Sequence, residues 1–348
     1  MKKIANSNNY EVICNVCTLY SLFLYLLYSK DSDIARTFYI FNPAGIPETV
    51  RCKLMNSYTM PDYNRFGIIR KIFISLFGFI YFRIIKKNIP ALKTSSKIIG
   101  NDFSRYDPVI IGKTNYTVIE DAPNGFSQSY LGFFKKFDDK EKRKGLLYKL
   151  MRLLYGDIYY QRFGNNQLCQ GVILTHDEHL DYLKGKKKYL VNINDEWNKS
   201  SLFKRDLITS IFSISKDDIY KLRTKRIVIF TQPLYPDFIS KEEHACIYKK
   251  IIERYSVTDI VVKTHPRDHY QYENDFKDLY VLRSPVPSQL LDLLEIKFDK
   301  AITLFSTAVK SLSYDIPIDW YGFAGNKTLE SLIGNVSIPH NANKIDLQ

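Results

Sequence analysis

The residues best able to do chemistry stand directly behind apolar runs. Val261-Val-Lys263-Thr-His265-Pro266-Arg267-Asp268 holds an imidazole two residues from a cation on either side and pins it with a proline. Lys263 and Arg267 would depress the pKa of that imidazole, and a bound phosphate would raise it again. A histidine so poised can donate a proton or a hydrogen bond to a departing phosphate. Thr231-Gln232-Pro233 follows a second apolar run, and Ser306-Thr307 a third. The three clusters offer an imidazole, two cations, hydroxyls and an expected helix start, a set suited to a phosphate. Ser306 and Thr307 would equally serve as plain N-caps. In the first half, Val118-Ile-Glu120-Asp121-Ala-Pro-Asn124-Gly125 sets two carboxylates before a Pro/Gly turn. That position suits a general base or a ligand for a sugar hydroxyl, or an Asp that merely caps the turn. Asp237, in Leu234-Tyr-Pro-Asp237-Phe238, is a rival carboxylate on the side of Thr231.

Other chemistries lack their residues. The chain has no Walker A pattern, no Gly-x-Gly-x-x-Gly and no His-Glu-x-x-His. Asp31-Ser-Asp33 has the spacing of a metal-binding pair but falls in a polar loop after a helix, so no divalent cation is implied. Cys14-Asn-Val-Cys17 has redox or zinc spacing without a second Cys/His pair, and it lies in an apolar run. It reads as two buried thiols, and the odd total of five cysteines suits a reducing compartment.

Apolar runs alternating with helical patterns must position these groups, which argues for parallel strands joined by crossover helices. The pattern predicts strands over 12–17, 36–42, 108–112 and 116–120, with helices over 19–28 and 135–152. It weakens between 164 and 213, where Lys184-Gly-Lys-Lys-Lys188 reads as a solvated basic turn. A second series follows: strands over 226–231, 259–263, 279–282, 300–305 and 316–323. Its helices are expected over 240–255, opened by the capping box Ser240-Lys-Glu-Glu243, over 287–294, and over 306–313. In such sheets ligands sit at the carboxyl ends of the strands, where all the clusters above fall. The reading is an α/β fold of two domains, 1–200 and 201–348, with ligands in the cleft between their layers.

The chain length of 348 residues suits two domains, and 45% hydrophobic with 25% charged residues is an ordinary globular balance. The net charge of +13 directs the protein toward anions. Its excess concentrates in residues 63–101, which carry eight Lys/Arg and no Asp/Glu around the apolar run 72–82. Eleven residues are too few to cross a bilayer, which takes about 20 in a helix. The run fits a helix on an anionic membrane surface, or a core helix with snorkelling basic ends. A polar segment over 4–11 with no small-residue cleavage site argues against a secretory leader. Aromatics at 14% could stack on bases, but they follow core periodicity and no nucleic-acid module is present. A non-catalytic nucleic-acid binder is therefore the distant alternative, and nucleic acid is not expected as a partner.

Taken in order, these motifs resemble glycosyltransferase family 52, the bacterial lipooligosaccharide and capsular sialyltransferases. The resemblance rests on the His-Pro motif at 265–266, the acidic pair Glu120-Asp121 and Phe305-Ser306-Thr307-Ala308, with the opening Tyr10–Cys14 run and the Gln232-Pro233-Leu234 turn in support. Ala122 stands where the family favours Gly, with Gly125 three residues on. The resemblance implies a GT-B fold, two Rossmann-type domains facing across a cleft. The first would be the acceptor side, with a membrane-facing stretch at 63–101, and the second would bind the CMP-sugar. It further implies CMP-sialic acid as donor, inversion at the anomeric carbon and no metal or other cofactor. His265 would be the general acid or phosphate stabiliser, and Ser306 and Thr307 would hold the phosphate. Glu120, Asn124, Gly125, Thr231, Gln232, Pro233, Lys263, Pro266 and Arg267 complete the expected binding set. Asp121 or Asp237 would deprotonate a galactose hydroxyl of a glycan, capsular or lipid-linked. The implied location is the bacterial cytoplasm, peripheral at the inner face of the membrane, and a homodimer is compatible with it. A different nucleotide-sugar donor or a polysialyltransferase would use the same architecture.

Overall fold

The computed structural model describes residues 10–43, 45–62, 67, 77–78, 80–81, 83–87, 89–95, 97–104, 106–123, 145–177, 183–306, 308–309, 312, 314–334, 336, 338–339 and 341–347. The chain divides into two compact units, 1–211 and 212–348. This division falls later than the 200/201 boundary expected from sequence. The Leu202–Ile211 helix folds with the first unit because Lys204 Nζ donates to Leu27 O (2.8 Å) and Ser29 O (2.6 Å). Those carbonyls end the Leu19–Tyr28 helix, where a cation also meets the negative end of the dipole.

Among the described residues, the first unit is built on seven parallel strands. They are β1 (Val12–Val16), β2 (Thr37–Phe41), β3 (Ser57–Thr59), β4 (Lys97–Gly100), β5 (Tyr116–Ile119), β6 (Cys169–Leu174) and β7 (Lys187–Leu190). Their order is β3-β2-β1-β4-β5-β6-β7. The second unit has six parallel strands: β8 (Ile227–Phe230), β9 (Ile260–Lys263), β10 (Tyr280–Leu282), β11 (Lys300–Thr303), β12 (Ile318–Trp320) and β13 (Ala342–Lys344). They run β10-β9-β8-β11-β12-β13. Each sheet winds outward from its centre in both directions, the Rossmann arrangement. Its switch point lies between β1 and β4 in one unit and between β8 and β11 in the other.

The central strands form where β-branched and aromatic residues run together, and they are buried on both faces as parallel sheets require, whereas the edge strands β3, β7 and β13 are partly exposed. In the first unit Ile13, Ile40, Ile98, Val118 and Val172 pack with Ile85, Ile110 and Tyr155. In the second, Ile229, Ile260, Val262 and Ile302 pack against Ile247, Tyr248 and Ile251 of the Lys241–Ile252 helix. Burying each such side chain contributes about 1.5–3 kcal/mol. At the first switch point a Cβ on Gly100 would lie 1.9 Å from Asn15 O, so only glycine lets β4 approach β1 there.

Several sequence expectations are corrected. Residues 108–112 are not a strand: Asp107–Ile111 is helical, with Pro108 in its first turn, where a missing N–H costs nothing. The strand beside β1 is instead β4, so the far end of the basic stretch 63–101 is sheet core, with Ile98 and Ile99 buried. Residues 72–76, 79 and 82 of the apolar run lie outside the described residues, as do 135–144 of the expected 135–152 helix, whose described part is Leu146–Tyr155. Among the described residues of 306–313 there is no α-helix. Residues 308–309 form a 3-10 turn, Leu312 is irregular, and 307, 310, 311 and 313 lie outside the described residues.

Candidate functional site

In the second unit the strand ends β8, β9 and β11 are neighbours, with β8 in the middle. Two strand spacings of about 4.8 Å put the ends of β9 and β11 roughly 10 Å apart at the backbone. His265 follows β9 and is half-buried. Its backbone N–H donates to Thr231 Oγ1 (3.0 Å), and its carbonyl accepts from Asp268 N (2.8 Å). Thr231, just past β8, in turn donates its hydroxyl proton to Asp268 Oδ2. Asp268 is buried and also accepts from Tyr272 OH at 2.7 Å and from Tyr270 N at 3.2 Å. The loop carrying the imidazole is thus tied to β8 through a hydroxyl and a carboxylate.

The ring itself is oriented by the backbone. Arg267 N donates to His265 Nδ1 at 3.1 Å, so the neutral ring carries its proton on Nε2. Burial, then Arg267, then Lys263 lower the imidazolium pKa to about 4. At neutral pH the ring is therefore an uncharged Nε2–H donor. Lys263 ends β9, is buried, and burial brings its ammonium down to about 8. Among the described residues no acidic group forms an ion pair with it. Pro266 is half-buried and Arg267 exposed. Gln232 N donates to Tyr248 Oη (2.6 Å), which fixes the turn after β8, and Pro233 is buried there. Beyond β11, Ser306 is buried; its N–H donates to Thr303 Oγ1 (2.9 Å) and its hydroxyl accepts from Ala308 N (3.3 Å). Thr307 lies outside the described residues. Asp237 is exposed in the turn after β8.

In the first unit a buried polar network stitches the ends of β1, β4 and β5. Asn15 Nδ2 donates to Asp107 Oδ1 (2.8 Å) and to Asn101 O (2.9 Å). Asn101 accepts from Cys17 N (2.7 Å) and donates to Ile119 O (2.9 Å) and Ser21 Oγ (3.1 Å). Burial raises the carboxyl pKa of Asp107 and brings Asp102 up to about 6. Asp102 accepts from Tyr116 OH, Phe163 N and Gly164 N, which makes it a structural carboxylate. Burial also pushes the Cys14 and Cys17 thiols up.

Glu120 and Asp121 are adjacent yet differ. Glu120 is fully buried, and its Oε1 accepts from Tyr20 OH (2.6 Å), Thr175 Oγ1 (2.5 Å) and Thr175 N (3.0 Å). Asp121 is half-exposed, with its carbonyl held by Thr18 Oγ1 (3.1 Å). Asn124 and Gly125 lie outside the described residues. The strand-end rule thus brings together Thr231, Lys263, His265 and Ser306 in one unit and places Glu120 and Asp121 in the other. Sequence reasoning missed Asp268, which stood inside the His265 motif, and Asn15, Asn101, Asp107, Tyr20, Thr175 and His176. A signal for the last two was available: Leu174-Thr175-His176 repeats the pattern of Lys263-Thr264-His265, an apolar strand ending in Thr-His.

The model of glycosyltransferase family 52 matches residues 70–315. An uncharacterised protein of Haemophilus influenzae is 29% identical over 320 residues, covering 90% of this chain and 95% of that protein. An alpha/beta-galactoside alpha-2,3-sialyltransferase of Photobacterium phosphoreum is similar in fold, with a TM-score of 0.55 at 11% identity over 97% of this chain and 99% of that one. So is a 2,6-sialyltransferase of Photobacterium sp. JT-ISH-224 solved with CMP and lactose, with a TM-score of 0.57 at 12% identity over 88% and 71%. These likenesses establish the GT-B fold, and the family resemblance read from the motifs is borne out. With 246 consecutive residues of the chain matched to its model, the protein belongs to glycosyltransferase family 52.

Proposed function

We propose that this glycosyltransferase moves sialic acid from CMP-sialic acid to a galactose-terminated glycan of the bacterial surface, capsular or lipooligosaccharide. The supporting observation is the state of His265: neutral, with its proton on Nε2, between a buried ammonium and a guanidinium. CMP leaves with one phosphate, whose growing charge this set can meet. In the proposed step an acceptor hydroxyl oxygen bonds to the anomeric carbon as the bond from that carbon to the CMP oxygen breaks. A carboxylate, Asp121 or Asp237, takes the hydroxyl proton, and the neutral His265 donates a hydrogen bond from its Nε2–H to the phosphate. Attack opposite the leaving group inverts the centre. Lys263 and Arg267 provide the positive charge, so the reading assigns no metal to the step. Ser306 lies past the end of β11, with β8 between it and β9, and is the second phosphate ligand.

The reading places the enzyme at the inner face of the cytoplasmic membrane, near a lipid-linked acceptor. No helix among the described residues is long and apolar enough to cross a membrane. The Leu146–Tyr155 helix instead turns Met151, Leu154 and Tyr155 to the core and leaves Leu146, Leu150 and Leu153 exposed. In the described helical residues 77–78, 80–81 and 83–87, Ile85 is in the core while Phe77, Ile80 and Ile84 are exposed. Both segments carry Lys and Arg and no acid, the composition of helices that lie on anionic bilayers.

The donor is tested by free CMP release. With lactose as acceptor, CMP-sialic acid should turn over, while UDP- and GDP-sugars should not. Turnover of a nucleoside diphosphate sugar instead would replace the donor and keep the fold.

A further inference from the structure

We infer that His176 binds the acceptor sugar, held for that task by Thr175 and the buried Glu120; the inference rests on the transferase reading above. His176 follows β6, next to the β5 end that carries Glu120 and Asp121, and its side chain is exposed. Its Nδ1 lies 3.1 Å from Thr175 Oγ1. The threonine has one hydroxyl proton, and its short 2.5 Å contact to Glu120 Oε1 commits that proton to the carboxylate. Toward the imidazole Thr175 Oγ1 can then only accept. The ring must carry its proton on Nδ1 and present Nε2 as a lone pair. Tyr20 OH also donates to Glu120 Oε1, so a completely buried carboxylate anchors the chain of bonds.

This is the converse of His265. There a backbone amide fixes Nε2–H, a donor suited to a phosphate; here a hydroxyl fixes Nδ1–H, leaving an acceptor suited to a sugar hydroxyl. A surface histidine needs no such anchorage, whereas one that must meet a ligand in a single tautomer does. Among the described residues, Glu120 lies at the adjacent β5 end, and Asp177, next in the chain, pairs its Oδ1 with Lys188 Nζ at 2.7 Å.

The experiment pairs kinetics with side-chain nitrogen NMR of the full chain. His176→Ala should raise the KM for lactose at least about tenfold, the worth of one good hydrogen bond, and leave CMP-sialic acid hydrolysis and CMP affinity unchanged. Thr175→Val should loosen the tautomer and give a smaller KM increase. An unchanged lactose KM in His176→Ala, with donor hydrolysis intact, overturns the inference and spares the transferase reading. Absent hydrolysis in the native protein fails the donor assignment instead. The NMR arm then decides alone: Nδ1–H on His176, with the Nε2 signal shifted by added lactose or galactose, supports the role. Nε2–H, or an Nε2 signal that neither sugar moves, ends it.

Discussion

The Arg267 amide donates to Nδ1 of His265 at 3.1 Å, and this one bond decides which end of the ring can serve a ligand. With Nδ1 occupied, Nε2–H is the working atom. His265→Ala should reduce transfer at least about 100-fold, the lower range for general acid–base groups, without unfolding the protein. His265→Gln can place an amide N–H near the Nε2 position, so it should retain more CMP affinity than the alanine variant while transfer stays low. Initial rates and CMP titrations on both variants check this, and near-normal turnover in the alanine variant would remove His265 from the mechanism.

Lys263 makes the donor site sensitive to pH. Burial lowers its pKa from 10.5 to about 8, so the folded protein releases this proton more readily than the unfolded chain. The sign follows: burying the charged form costs stability below about pH 8, and stability from this group rises between about 8 and 10.5. A bound phosphate offsets that cost. CMP affinity should be level below about pH 8 and fall up to about tenfold per unit above it. Calorimetric titration of CMP from pH 6 to 10 tests this; Lys263→Met should bind weakly throughout and lose the alkaline decline.

Thr231 and Asp268 hold the His265 loop, and under the proposed function they act on the reaction only through it. Thr231→Val deletes the acceptor for the His265 amide and the donor to Asp268, leaving a buried carboxylate short of one partner. The expected stability loss is about 1–3 kcal/mol. Transfer should fall more than stability explains, with the larger change in kcat and a displaced pH profile. Denaturant melts beside pH–rate curves separate the two effects; a shifted melt with an unmoved profile would make Thr231 purely structural.

The parts of this site legible in the sequence were those whose local chemistry is unambiguous. β1, β5, β8, β9 and β11 are apolar runs closed by polar turn residues, and buried parallel strands must look like that. β3 and β7 are half-exposed and carry Ser, Thr or Lys, so no run announces them. Residues 108–112 misled because Val109, Ile110 and Ile111 match a buried strand as well as a buried helical turn. Asn15 and Asn101 are functionally silent one at a time. Their meaning lies in strand order, because β4 inserts beside β1 only in space.

The two carboxylates nominated as base differ in a way that measurement resolves. Asp121 is half-exposed beside the anchored Glu120, and Asp237 is fully exposed in the turn after β8. Alanine at the true base should cost about 100-fold or more in transfer and much less in CMP affinity. Alanine at the other should stay within severalfold of native turnover. Glu120→Gln serves as the structural control: it removes the charge that Tyr20 and Thr175 satisfy and should lower the melting temperature.

The proposed membrane attraction rests on geometry as well as charge. Leu146, Leu150 and Leu153 repeat at helical spacing on the outer face of their helix, with Lys149 and Arg152 alongside. An apolar stripe insertable to the acyl boundary, edged by cations worth about 1 kcal/mol each at an anionic surface, should bind vesicles reversibly. Flotation with phosphatidylglycerol-containing liposomes should capture the protein at 0.1 M salt, where the Debye length is about 10 Å, and release much of it at 1 M, where it is about 3 Å. Replacing the three leucines by serine should abolish capture at both salts and leave turnover of soluble lactose intact. Equal capture by neutral and anionic vesicles would assign binding to the apolar stripe alone, and no capture at low salt would confine the enzyme to soluble acceptors.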